Sequence, residues 1–106
     1  MKTHRESNRR GLARAERSLL QALLTLRTEQ ECKSFLNDLL TPAELEALVD
    51  RWSVVAYLND GVPYRKIHEL TGVSVTTIGR VARFLAGENG GYRIALERLN
   101  GHSKGS

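Results

Sequence analysis

The 106 residues, 41% of them hydrophobic, suit one domain with a small core, whose surface stays largely wet unless a second subunit covers it. No run approaches the ~18 apolar residues of a membrane span, and the basic start MKTHRESNRR lacks the features of a signal peptide, so a cytoplasmic protein is expected. The +4 net charge is uneven: +4 over residues 1–18, −4 over 19–60, +3 over 61–85 and +1 over 86–106. Cations gathered in an N-terminal arm and one internal segment suit a phosphate-bearing partner, since neutralising phosphates releases counterions. A solvated tail with ordinary surface cations fits the same pattern.

Beyond a flexible basic arm, residues 1–11, Leu12, Ala15, Leu19, Leu23 and Leu26 recur at helical spacing, with Leu20 and Leu24 widening the stripe. A break near Thr28 precedes Cys32, Phe35, Leu36, Leu39 and Leu40, a second short helix. Cys32 stands alone in the chain and reads as a buried small hydrophobe in a reducing compartment, not as a nucleophile. Thr41-Pro42-Ala43-Glu44 has the cap, first-position proline and third-position glutamate of a helix start. The helix it opens carries Leu45, Leu48, Val49, Trp52, Val55 and Ala56, with Trp52 expected in the core, and stops at Asn59-Asp60-Gly61.

The helices then shorten: residues 64–70, a Thr71-Gly72-Val73 turn, and a helix from Ser74 to about Ala86. A flexible glycine-rich link, residues 87–91, leads to a last helix over 92–99 and an expected disordered tail, 101–106. No segment alternates with period two for long, so the fold class is all-α. His4 and His102 fall in the ends and read as solvated.

The segment 66–85 carries the function. Steeply crossing helices need a left-handed residue between them, and Gly72 supplies it. Ile67, Val73, Ile78 and Val81 fall where both helices can bury them, and Ser74 can cap the second helix by accepting from Thr76 or Thr77. Val75, Thr76, Gly79, Arg80 and Arg83 then point outward. Small residues leading, with arginines behind, suit a helix entering the major groove end-on. Thr hydroxyls can meet base edges and Thr and Val methyls the thymine methyl. Arg65, Lys66, His68, Arg80 and Arg83 lie where phosphates would run. With Ser74 and Thr77 at the helix start they complete the expected DNA-binding set.

At LLTPAELEALVDRW (39–52), YRKIHELTGVSVTTIGRV (64–81) and GENGGY (87–92), the chain resembles the Trp repressor family, most closely its YerC/YecD group. The resemblance implies a six-helix subunit over residues 12–100, intertwined with its twin as a homodimer, its fourth and fifth helices reading double-stranded DNA. It also implies a transcriptional regulator, a repressor in the family pattern, for instance of an amino-acid biosynthesis operon. In that family an amino-acid corepressor lies beside a capping threonine and two arginines, matched here by Thr41, Arg51 and Arg80; the plain alternative for Arg51 is a surface ion pair with Asp50. The tryptophan pattern is broken: Val81 replaces a space-making glycine, Phe84 a serine, and Asp38 an apolar residue. That leaves no effector or a smaller polar one, with histidine favoured over tryptophan through Asp38.

An enzyme would need clustered acid, base, nucleophile or metal-ligand spacing, and none is present, so no catalytic residue, metal or cofactor is expected. The remaining rival is a helical protein-interaction or antitoxin-like module that does not read operators.

Overall fold

The computed structural model describes residues 9–103, side chains through Gly101, and divides into two compact units, Met1–Thr41 and Pro42–Ser106. The described residues form six helices: α1 (Arg9–Leu24), α2 (Glu29–Leu39), α3 (Pro42–Asn59), α4 (Tyr64–Thr71), α5 (Val75–Ala86) and α6 (Gly91–Ser103). The described residues contain no strand.

In the first unit α1 and α2 meet at a turn whose polar groups are locally satisfied. Thr28 caps α2 by accepting from the Glu31 amide at 3.0 Å, and the Glu31 carboxylate reaches back to the Arg27 amide at 2.8 Å. This is a capping box shifted by one residue at its outer bond. Neither helix buries a residue. Leu12, Leu19, Leu20, Leu23 and Leu24 of α1 are exposed, and so is Cys32. Cys32 was expected to be buried; two helices cannot enclose the start of α2. The first helix begins at Arg9, inside the expected arm, while His4 lies outside the described residues.

The second unit holds the core. Val54 and Val55 of α3, Ile67 of α4 and Ile78 of α5 are fully buried, joined by Val81, Val73 and Leu96. Tyr57, Leu58, Val62, Leu85 and Tyr92 pack around them. α3, α4 and α5 pack on one another and α6 on α5. Trp52 departs from its expected place: it is 40% exposed, its ring set against Tyr92 with centroids 6.3 Å apart. Val54 and Val55, two and three residues on, take the interior. α6 runs to Ser103, past the expected start of the tail at residue 101; residues 104–106 lie outside the described residues.

Candidate nucleic-acid interface

The α4–α5 pair is built around one left-handed residue. Gly72 follows α4 at φ 78°, and its amide donates to the His68 carbonyl at 2.8 Å. The Thr71 hydroxyl donates to the Ile67 carbonyl at 2.7 Å and accepts from the Val73 amide at 3.1 Å. The His68 ring meets the Val73 carbonyl, Nδ1 to oxygen 2.7 Å. The Gly72 amide and both the amide and the carbonyl of Val73 are thus tied to neighbours within five residues. Ser74, in extended conformation, caps α5: its Oγ accepts from the Thr77 amide at 3.1 Å and donates to Thr77 Oγ1, also at 3.1 Å.

Packing fixes which side of α5 is outside. Ile78 and Val81, three residues apart, are buried, so the opposite face is wet. Val75 is 50% exposed, and Thr76, Arg80 and Arg83 are exposed too. Arg65, Lys66 and His68 are exposed on α4. Truncating a buried isoleucine such as Ile78 costs ~2–5 kcal/mol. That is a large part of the stability of a small domain, so α5 is presented as a fixed rod.

Three expected site residues are placed differently from the rest. Ser74 and Thr77 satisfy each other and the helix start. Gly79 is half-buried, and a Cβ built there would lie 3.9 Å from the Tyr64 ring, so its open side faces α4 and not outward. At that distance a methyl group would make an ordinary contact with the ring.

The far end of α5 is held by a residue that sequence reasoning missed. Arg93 of α6 donates through Nη1 to the Leu85 carbonyl and through Nη2 to the Gly87 carbonyl at 3.1 Å. A guanidinium at a helix C-terminus satisfies orphan carbonyls and complements the helix dipole. The only hint in the sequence is an arginine just past a glycine-rich link.

Arg51 and Arg80 line one open pocket of about 300 Å³ with Val81, Phe84 and Tyr92. A neighbouring pocket of about 320 Å³ shares Phe84 and Tyr92 and adds Asn89 and Gly91. The first joins two guanidinium groups to aromatic walls, with no carboxylate among its lining residues. Asp38 and Thr41 belong to the first unit.

Residues 15–100 match the family described as Trp repressor protein. The chain belongs to the Trp repressor family. Within the family, it is 40% identical over 81 residues to YerC of Bacillus subtilis (strain 168), an uncharacterised protein, covering 76% of this chain and 78% of YerC. Among solved Trp-repressor-like structures, a TrpR-like protein from Eubacterium eligens ATCC 27750 superposes with a TM-score of 0.77 at 38% identity, covering 82% of this chain and 90% of that one. A Trp repressor candidate from Staphylococcus aureus also gives a TM-score of 0.77, at 37% identity, over 81% and 86% of the two chains. The all-α, six-helix Trp-repressor-like architecture expected from the sequence is the one found, and membership points to a DNA-binding regulator.

Proposed function

We propose that this member of the Trp repressor family is a sequence-specific, operator-binding repressor acting in the cytoplasm as a homodimer. One observation carries the reading: the N-terminal face of α5 is exposed through Val75 and Thr76 while its opposite face is locked in the core. Val75 and Thr76 touch base edges; Arg80 and Arg83, with Arg65 and Lys66, contact the phosphate chain. The exposed leucine stripe of α1 supports a dimer, since a contiguous apolar face on a small chain calls for a cover. A two-fold dimer would space its reading helices about one turn of DNA apart, roughly 34–36 Å.

The test is a gel shift with DNA from upstream of the protein's own gene against random duplex at moderate salt. Preferential retention of the upstream DNA is the expected result. Equal retention of both would favour the interaction or antitoxin-like module instead.

A second, finer reading concerns the pocket beside α5. Arg51 and Arg80 form a forked clamp suited to a small carboxylate, such as an amino acid. Val81 in its wall stands where the family pattern has a space-making glycine, which favours a smaller effector than tryptophan, such as histidine. Calorimetric titration with the twenty amino acids checks this, and absence of heat from all of them would dismiss it.

A further inference from the structure

On the reading of α4–α5 as a DNA-binding head, we propose that His68 is a positioning residue that aligns α5 with α4 through the Val73 carbonyl, and that it acts on DNA affinity by this route and not by touching phosphate.

The chemistry of the contact decides the tautomer. A carbonyl oxygen only accepts, so Nδ1 of His68, 2.7 Å from the Val73 oxygen, must carry the proton. In the neutral ring Nε2 is then a bare lone pair. Two acceptors repel, so this nitrogen meets a phosphate oxygen only after the ring takes up a second proton. Positioning needs no such change. The ring is already engaged in the free protein.

The position is unusually placed to set an angle. The His68 carbonyl holds the Gly72 amide and its ring holds the Val73 carbonyl, so one residue grips both sides of the left-handed bend. Val73 is buried, 5% exposed, and the next residue, Ser74, is the cap of α5. The Val73 carbonyl is the last polar group before that cap, and its direction sets where the α5 axis starts. Without His68 the carbonyl loses this tether to water, and the start of α5 loses the bond that aligns it with α4.

Two substitutions separate the routes, because each amide reproduces one ring nitrogen. The amide nitrogen of Asn lies as many bonds from Cβ as Nδ1, and that of Gln as many as Nε2. The probe is a dyad-symmetric duplex selected from a random library by the wild-type protein. His68→Asn keeps the donor to Val73, so affinity stays within about twofold; His68→Gln loses it, and affinity falls about fivefold to tenfold, inside the roughly 2- to 13-fold that one net hydrogen bond spans. The ¹⁵N shifts of the free wild-type imidazole, recorded where the ring is neutral, should show a protonated Nδ1 and a bare Nε2. The reverse tautomer, or rapid exchange between the two, overturns the proposal whether or not the variants fold. Equal affinity in both variants overturns it too, and loss only in His68→Asn would assign the effect to Nε2. If the wild-type protein selects no duplex, the DNA-binding reading fails, while the tautomer measurement still judges the tether.

Discussion

Replacing Gly72 isolates the cost of a single backbone torsion. A Cβ built at Gly72 meets nothing within 4 Å, so the penalty of a side chain there is conformational and not steric crowding by neighbours. At φ 78° an L-residue pays about 1–2 kcal/mol for left-handed geometry. Alanine recovers about 0.4–1 kcal/mol by restricting the unfolded chain, leaving a net loss near 1 kcal/mol for Gly72→Ala. Asparagine tolerates this region, so Gly72→Asn should stay within about 0.5 kcal/mol of the parent. Valine, β-branched, should lose clearly more than alanine. In thermal melts at one fixed protein concentration, alanine should lower the midpoint by about 4–8 °C. The order Asn, Ala, Val is the signature. If Gly72→Asn proves as damaging as Gly72→Val, space and not torsion limits the site, and the reasoning fails.

Ser74→Ala removes the acceptor for the Thr77 amide and should cost about 1 kcal/mol in urea denaturation, with hydrogen exchange quickening first at Thr76–Ile78. Arg93→Ala frees the Leu85 and Gly87 carbonyls; about 1 kcal/mol of stability is expected to go, and Arg93→Lys should restore only part, since an ammonium lacks the fork. Arg83→Ala should weaken binding to all duplexes alike and reduce the salt slope by about 1. Thr76→Ala should change sequence preference in a selection experiment with little change in melting; an unaltered preference removes Thr76 from the reading set.

Much of the fold was legible because helical periodicity and end signals are local. Ile67, Val73, Ile78 and Val81 were expected inside and are inside, and the Ser74 cap was expected to accept from Thr76 or Thr77 and takes Thr77. Misplacements arose where a residue's fate depends on what lies opposite. Cys32 and Trp52 sit on apolar stripes, but a stripe states only which way a side chain points and not whether anything covers it. Gly79 was expected to face outward, because sequence alone could not locate the Tyr64 ring. Likewise Arg93 and the His68 ring bond bridge eight and five residues across bends, beyond the reach of a spacing rule.

Arg93 also changes how the link between α5 and α6 behaves. Its side chain closes a ring with the backbone from residue 85 to residue 93, so the glycine-rich stretch inside is a short-circuited span and not a free hinge. Strain introduced there, by an inserted residue or by pressure on the adjoining Tyr92, has no slack to vanish into. It must arrive at the last turn of α5, on the helix whose other end carries the exposed Val75 and Thr76.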